Sequence, residues 1–266
     1  PRTIVLDAQY RMHPMLGNFI NDTFYKSYGE SFASPLSESN YIQNLYPKPL
    51  LWVDMSNDNG PEDHIGTSRS RDCEARKIVE LLKRHIMSAD GMDLSYGVIS
   101  FYSEQVRLIK RLINTDVDLK KLGKKVKEIR VGSVDAFQGM EFDVIFLSVV
   151  RTHKGDPIYK NPETKKPESI DFTILEQDEK KLEKDKEAFK KFKEYRESVG
   201  LQNYGFLISE NRLCVSLSRQ KRMLIVVGDS NIFMDGKWGR LAKTCVPGMQ
   251  KLLDLCKSEE VVVGGD

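Results

Sequence analysis

Residues 131–150 read VGSVDAFQGMEFDVIFLSVV, a polar segment that runs directly into an apolar one. The apolar part, 144–150, is rich in valine and isoleucine and contains no charged residue, and a shorter run rich in β-branched residues, 129–134, leads into the polar part. Continuous apolarity is typical of a strand that is covered on both faces, as in a parallel sheet. The segment therefore predicts two strands joined by a short polar connection.

Similar apolar runs occur elsewhere in the chain, at 50–53, 98–101 and 224–227. Helical patterns lie between them, because apolar residues recur every three or four positions over 71–87 and again just after 98–101. Pro14 and Pro247 each stand where a further helix can begin, since proline is tolerated in a first helical turn. Strands that alternate with helices predict an α/β fold of the RecA-like type, with a mostly parallel sheet flanked by helices.

Two stretches interrupt this alternation. Residues 27–49 show little periodicity and predict a long surface loop. Residues 154–205 begin with several prolines and continue as a charged helix over 176–197, which carries eight acidic and eight basic residues beside a narrow apolar seam. We interpret 154–205 as a helical insertion within a single domain that spans 1–266. Such an insertion is either a solvated excursion or a docking arm for a protein partner or a nucleic acid.

The composition is that of a folded protein without a strong overall charge. The 266 residues suffice for one large domain or two small ones, and 41 basic against 39 acidic residues give a net charge of +2. Any binding of nucleic acid must therefore come from local patches, such as 107–130, where nine basic residues stand against three acidic ones. The same stretch is equally compatible with an ordinary solvated surface.

Several classes of protein and site are disfavoured. The four cysteines have no C-x-x-C spacing and the histidines do not cluster with them, so we expect neither a metal site nor a disulfide framework. No apolar run approaches the roughly 20 residues that cross a bilayer, and no signal peptide opens the chain, so we expect an intracellular protein without a membrane partner. The chain begins at Pro1 rather than at a methionine, and we interpret it as part of a longer protein.

The chain also lacks the short motifs of self-contained enzymes. It has no G-x-x-x-x-G-K-[ST] phosphate loop, no G-x-G-x-x-G dinucleotide loop, no G-x-S-x-G elbow and no H-E-x-x-H. Polar groups are concentrated instead in three segments beside predicted strands and helices, which are 6–14 (LDAQYRMHP), 131–143 (VGSVDAFQGMEFD) and 211–222 (NRLCVSLSRQKR). In open α/β sheets, ligands bind at such strand ends.

These three segments, in this order, resemble motifs IV, V and VI of the superfamily 1 helicases. The likeness is to the second RecA-like motor domain in the branch that includes senataxin and the nonsense-mediated-decay RNA helicase, and it spans about residues 6–229. The resemblance implies ATP and Mg²⁺ as cofactors, both held mainly by a first RecA-like domain that lies outside this chain. It implies single-stranded DNA or RNA as a partner, and little ATPase activity for this chain alone.

The resemblance assigns roles to particular residues around ATP. Arg11 and Arg219 match the arginines that reach the γ-phosphate across the cleft, a task that suits a forked and permanently charged guanidinium. Glu141 matches an acid near the ribose or phosphates, and Gly139 permits a close backbone approach at the preceding turn. Gln138 is a candidate to orient a neighbouring arginine. An ordinary ion pair or a helix cap is the alternative role for the charged side chains.

For nucleic-acid contacts the resemblance points to the ends of other strands. Ser100 and Ser133 each offer a hydroxyl to a backbone phosphate, and Tyr102 offers a ring that can stack on a base. Packing at the base of its loop is the alternative role for Tyr102. Asp135 would repel phosphate, so it either fixes its loop or meets a sugar hydroxyl. The pattern departs from the family at Phe101, where proline is usual.

The leading hypothesis is the second motor domain of an ATP-dependent DNA or RNA helicase or translocase. Motif VI departs from its usual form, because Ser218 stands for threonine and Gln220-Lys221 stands for Ala-Arg. The missing phosphate loop and the long insertion are also compatible with a non-catalytic nucleic-acid-binding or scaffold module. A small-molecule α/β enzyme is disfavoured, because no local catalytic constellation is present.

Overall fold

A parallel sheet lies at the centre of the fold, and the computed structural model describes residues 7–41, 46–88, 91, 93–234 and 236–265. The strands in these residues are β1 (Leu50–Asp54), β2 (Asp63–Ile65), β3 (Ser68–Ser70), β4 (Ser95–Ser100), β5 (Glu128–Ser133), β6 (Phe142–Ser148), β7 (Tyr159–Lys160), β8 (Pro167–Glu168), β9 (Gln220–Gly228) and β10 (Val262–Gly264). Six of them form the central sheet in the order β10-β1-β9-β6-β4-β5, and every neighbouring pair is parallel.

Helices cover both faces of this sheet. Those in the described residues are α1 (Pro14–Ile20), α2 (Asp72–Met87), α3 (Ser103–Thr115), α4 (Val117–Leu122), α5 (Phe172–Leu175), α6 (Glu179–Leu182), α7 (Lys186–Tyr204), α8 (Glu210–Leu217), α9 (Gly236–Cys245) and α10 (Pro247–Ser258). Along β9, Leu224 and Val226 face one hydrophobic core and Ile225 and Val227 face the other. This two-sided burial confirms the predicted α/β fold with a mostly parallel sheet.

The two cores are formed by different helices. The first core contains apolar side chains of α1, α7, α8, α9 and α10, whereas the second contains those of α2, α3 and α4. Each fully buried aliphatic side chain contributes about 1.5–3 kcal/mol, so both faces stabilise the sheet substantially. The second core includes the apolar stripe that the sequence predicts over 71–87, of which Ile78 and Leu82 are fully buried.

The strand predicted over 144–150 is shifted toward the N terminus. It ends at Ser148, and Val150 adopts a positive φ of 71°. The backbone N–H of Val150 donates to both carboxylate oxygens of Glu74, at 3.1 and 2.9 Å, rather than to a neighbouring strand. A buried acid on α2 therefore ends the strand, which the apolar pattern of the strand itself does not reveal.

The segment 154–205 contains a short hairpin and three helices rather than one. The helix predicted over 176–197 is divided because Asp178 and Asp185 each cap a new helix, accepting a backbone N–H two residues further on. Asp171 caps the short helix α5, which precedes this range, in the same way. Aspartate favours this N-cap position. Only α7 is long, and its C-terminal end returns to the first core, where Tyr204 is buried and its hydroxyl donates to the carbonyl oxygen of Ile232 at 3.0 Å.

The segment predicted as a long surface loop, 27–49, contains only short 3₁₀ turns where it is described, at Lys26–Tyr28 and Glu38–Tyr41. Its residues 42–45 lie outside the described residues. A bridge between Ala8 and Ala33 holds its first half beside the segment that carries Arg11. Among the helices described, none combines the length and the apolarity that a membrane crossing requires.

Candidate nucleotide and nucleic-acid site

The sheet register places Glu141 beside Arg219. Strands β6 and β9 are neighbours, with Phe142 opposite Gln220, and the N–H of Phe142 donates to the carbonyl oxygen of Arg219 at 3.0 Å. Each of the two charged residues directly precedes its strand, so both lie at the N-terminal edge of the sheet. Parallel pairing therefore brings motifs V and VI together at this edge.

The segment of Arg11 is attached to the same edge. The N–H of His13 donates to the carbonyl oxygen of Lys221 at 2.8 Å, just inside β9. The side-chain oxygen of Gln9 accepts the N–H groups of Arg11 at 2.9 Å and of Met12 at 2.7 Å. Gln9 therefore has a structural role, because it holds the turn that presents Arg11.

Arg11 and Arg219 converge on the C-terminal end of helix α8. Arg219 donates through Nε to the carbonyl oxygen of Val215 at 3.0 Å and through Nη2 to the hydroxyl of Ser218 at 2.8 Å. Its Nη1 reaches the carbonyl oxygen of Met140 at 3.2 Å. Arg11 donates through Nη2 to the carbonyl oxygen of Ser218 at 2.6 Å. The negative end of the helix dipole favours cations at this place.

Positive charge exceeds negative charge around these two arginines. Glu141 lies 2.7 Å from Nζ of Lys221 and 3.9 Å from Nε of Arg11. Burial and, next, the nearby charge of Arg11 lower the pKa of Arg219, although a guanidinium remains protonated at neutral pH. We call the group formed by Arg11, Glu141, Arg219 and Lys221 the arginine cleft. Its charge favours an anionic ligand.

A cavity of about 460 Å³ opens beside the arginine cleft. It is lined by Tyr10, Arg11, Leu36, Asn40, Tyr41, Glu141, Asp143, Lys221 and Arg222. Tyr10 is 68% exposed, so its ring has a free face beside the charged groups. Sequence reasoning did not single out Tyr10, although the motif that holds Arg11 contains it; an aromatic residue next to a candidate phosphate ligand is the signal that could have found it.

A second cavity lies along the edge strand β5, between this strand and helix α3. It has a volume of about 450 Å³ and includes Ser103, Lys110, Arg130 and Ser133 among its lining residues. We call it the β5 groove, because β5 is the edge strand that forms one wall. The groove offers two hydroxyl groups and two cations, which suit a sugar–phosphate backbone.

Asp135 does not lie free at this edge. It belongs to the 3₁₀ turn Val134–Phe137, directly after β5, and its carboxylate pairs with the guanidinium of Arg212 in the first turn of α8. Nε of Arg212 donates to Oδ1 at 3.1 Å, and Nη2 donates to Oδ2. Of the two roles that the sequence left open for Asp135, the fixing of its loop agrees with this pair.

A protein-family model described as an AAA domain (AAA_12) matches residues 1–231 of the chain. The chain belongs to this family. With its parallel sheet and its relatives among the helicases, it is a second RecA-like domain of superfamily 1 helicase type, which confirms the resemblance of the three motifs.

The relatives of this AAA domain are much longer proteins. The mov-10-B.1 protein of Danio rerio is 28% identical over 247 residues, which are 89% of this chain and 20% of that protein. The DNA polymerase alpha-associated DNA helicase A of Saccharomyces cerevisiae is 26% identical over 245 residues, 85% of this chain and 28% of the relative. The regulator of nonsense transcripts 1 homolog of Neurospora crassa is 32% identical over 162 residues, which are 58% of this chain and 14% of that protein. The chain thus spans less than a third of each of these relatives.

Two predicted nucleic-acid contacts of this AAA domain are enclosed by protein. Ser100 is 1% exposed, and its hydroxyl donates to the carbonyl oxygen of Ser148 at 3.3 Å. Tyr102 is 2% exposed, and its ring packs against that of Phe206 with centroids 5.4 Å apart. The predictions that Ser100 contacts a phosphate and that Tyr102 stacks on a base do not agree with this burial. Packing at the base of the loop agrees with it.

Two further residues of motif V lie on the turn that leads to Glu141. Gly139 has a φ of 78°, a backbone conformation that residues with a Cβ rarely adopt, so a glycine is favoured at this position of the turn. The N–H of Met140 closes this turn on the carbonyl oxygen of Phe137 at 3.0 Å. Gln138 is exposed beside it. Neither residue is among those that line the cavity of about 460 Å³.

Acidic, histidine and cysteine side chains do not gather into a metal site anywhere in the part of this AAA domain that the structure describes. Cys73, Cys214, Cys245 and Cys256 are free thiols there. Burial raises the pKa of both Cys245 and Cys256 to about 12, which keeps these thiols protonated.

Proposed function

We propose that this domain supplies one half of an ATP site in a DNA or RNA helicase or translocase. The other half would lie on a first RecA-like domain of the same parent protein, which would hold most of the phosphate contacts and Mg²⁺. The observation that carries the proposal is the convergence of Arg11 and Arg219, from distant parts of the chain, beside Glu141 at one sheet edge.

The residues of the arginine cleft fit a polyphosphate. Nε of Arg11 is buried without a hydrogen-bond partner, and its nearest acid, Glu141, lies 3.9 Å away. A phosphate oxygen would satisfy this donor and would offset the repulsion between the two guanidinium groups. Glu141 can accept a hydrogen bond from a ribose hydroxyl, and the exposed ring of Tyr10 offers a face for a base.

In this proposal Arg11 and Arg219 act as arginine fingers. They would place planar, permanently charged donors where negative charge develops on the γ-phosphate, and such a finger accelerates hydrolysis by about 10³–10⁵. Val215 and Ser218 hold the two guanidinium groups in position, so little reorganisation is needed when ATP arrives. Gln138 and Gly139 would serve by positioning Glu141.

The β5 groove is the proposed contact for a single strand. Ser133 and Ser103 would donate to phosphate oxygens, while Lys110 and Arg130 would supply the charge. Such contacts address the backbone, so they serve DNA and RNA alike. Ser100 and Tyr102 are not part of this contact because both are buried.

The remaining organisation follows from the same proposal. Residues 1–266 would form a single RecA-like domain, and 154–205 would be an insertion within it. The exposed charged face of α6 and α7 is then the place for a protein partner, while the C-terminal end of α7 belongs to the core. An intracellular location follows because ATP and single-stranded nucleic acids are found inside cells.

The proposal is tested by the ATPase activity of the parent protein, with and without poly(U) RNA or oligo(dT) DNA, beside that of this chain alone. We expect strand-stimulated turnover in the parent and little or none in the isolated chain. Robust turnover by the isolated chain would contradict the half-site. A parent that binds strands without hydrolysing ATP would favour the scaffold alternative.

A further inference from the structure

Helix α8 packs against the 3₁₀ turn Val134–Phe137 that follows β5, and its C-terminal end holds both arginines of the arginine cleft, so charged groups are attached to both of its ends. Arg212 in the first turn pairs with Asp135 through two hydrogen bonds. At the other end, Val215 and Ser218 provide the oxygen atoms that accept hydrogen bonds from Arg219 and Arg11. A single helix of eight residues therefore connects the 3₁₀ turn that carries Asp135 with both proposed arginine fingers.

Asp135 is close to the proposed strand contact. Only Val134 separates it from Ser133, which lines the β5 groove, and the same 3₁₀ turn, Val134–Phe137, packs against α8. A strand that contacts Ser133 would act on this turn directly. Any displacement of the turn would then reach Arg212 through its ion pair.

The helix is suited to transmit such a displacement as one body. Leu213, Ser216 and Leu217 are buried on its inner face, and the hydroxyl of Ser216 donates to the carbonyl oxygen of Leu213 at 2.8 Å. From Arg212 to Ser218 the helix rises about 9 Å at roughly 1.5 Å per residue. A packed helix moves as a unit rather than by bending, so movement at one end appears at the other.

The pair itself is too exposed to be explained by stability. The side chain of Asp135 is 60% exposed and that of Arg212 is 38% exposed. Exposed ion pairs typically contribute little to folding. The guanidinium of Arg212 also lies 5.8 Å above the ring of Phe206, which fixes its direction along the helix face.

We propose that the ion pair between Asp135 and Arg212 couples strand binding to the position of Arg11 and Arg219. This regulation rests on the proposed function, since it presumes both a strand at the β5 groove and ATP at the arginine cleft. In it, Arg212 is a positioning residue: it contacts neither ligand and acts through helix α8. The pair determines how strongly a strand stimulates hydrolysis, and not how tightly the strand binds.

The test uses the parent protein and measures ATPase activity over a titration of poly(U) RNA and of oligo(dT) DNA. For Arg212→Gln we expect unstimulated activity within about twofold of the wild type and a maximal stimulation that falls at least about fivefold, a typical size for coupling between sites. The strand concentration that gives half-maximal stimulation should not change. The exchange variant Asp135→Arg with Arg212→Asp restores the pair in reverse and should recover most of the stimulation.

The chain offers a matched control. Arg240 and Glu176 also form a bidentate, half-exposed ion pair, at 2.6 and 2.8 Å, and this pair is remote from α8 in sequence. Arg240→Gln should leave the stimulation unchanged. Full stimulation of the ATPase activity in Arg212→Gln overturns the coupling. A variant that reaches the wild-type maximal stimulation but needs a higher strand concentration for half of it also overturns the coupling. A wild-type parent without any strand-stimulated ATPase instead overturns the proposed function itself.

Discussion

Replacement of the buried carboxylate of Glu74 by alanine should destabilise the domain strongly. Both Glu74 and its partner Arg71 are fully buried, and their side chains lie 3.1 Å apart. Burial raises the pKa of Glu74, whereas the charge of Arg71 acts in the opposite direction. The carboxylate also accepts the hydroxyl of Ser148 at 2.7 Å and the N–H of Val150.

The magnitude follows from what Glu74→Ala leaves behind. Arg71 would keep a buried charge without its counter-ion, and removal of one partner of a buried pair costs about 3–5 kcal/mol. For a domain of this size each kcal/mol lowers Tm by about 2–4 °C, so we expect a fall of about 6–20 °C. The N–H of Val150 and the hydroxyl of Ser148 lose their acceptor in addition, which places the result in the upper half of this interval.

Thermal unfolding followed by circular dichroism measures this effect, with urea unfolding as a second probe. Glu80→Ala is the matched control, because Glu80 lies on the same helix α2 with a side chain that is 59% exposed. The control should change the free energy of unfolding by no more than about 1 kcal/mol. A Glu74→Ala domain whose stability falls no further than that of the control would refute the assignment of Glu74 as the acceptor that ends β6.

Two other predictions concern pH and salt. Burial and, next, the charge of Arg151 lower the pKa of His153 to about 4, so its neutral form stabilises the fold fully above pH 6.5 and this contribution is lost as the pH falls toward 4. His153→Gln should therefore lose less stability than the wild type between pH 7 and pH 4, and equal losses in urea unfolding would contradict this. Lys110→Ala in the parent should weaken strand binding for all sequences and reduce the slope of log K against log salt by about 1. Lys180→Ala, an exposed lysine on α6, is its control and should retain the wild-type slope.

Continuous apolar runs predicted the five longest strands of the sheet, because burial on both faces leaves a pattern within each strand. They did not predict β10, which has three residues and is largely exposed. The helical patterns of the sequence did not predict α9, because its sequence GKWGRLAKTC contains two glycines that lower helix propensity. The end of β6 at Ser148 depends on Glu74, a residue on another element, and no local pattern contains that information.

In the candidate site, too, the sequence motifs predicted some features, whereas others depend on residues that are distant in the chain. The motifs singled out Arg11, Arg219 and Glu141, and the parallel register of β6 and β9 places Glu141 beside Arg219. The sequence left both stacking and packing open for Tyr102, because its packing partner Phe206 follows the insertion about a hundred residues later. The partner of Asp135 is equally remote, because only the fold brings α8 against the turn after β5.

The arginine cleft is tested most directly by the kcat for ATP of the parent protein with Arg219→Ala, measured at saturating ATP and nucleic-acid strand. Arg76→Ala is the control, because Arg76 forms an exposed ion pair with Asp72 on α2. If Arg219 reaches the γ-phosphate, kcat should fall by about 10³ or more while the control keeps the wild-type value. A parent protein that retains the wild-type kcat after Arg219→Ala would contradict the account.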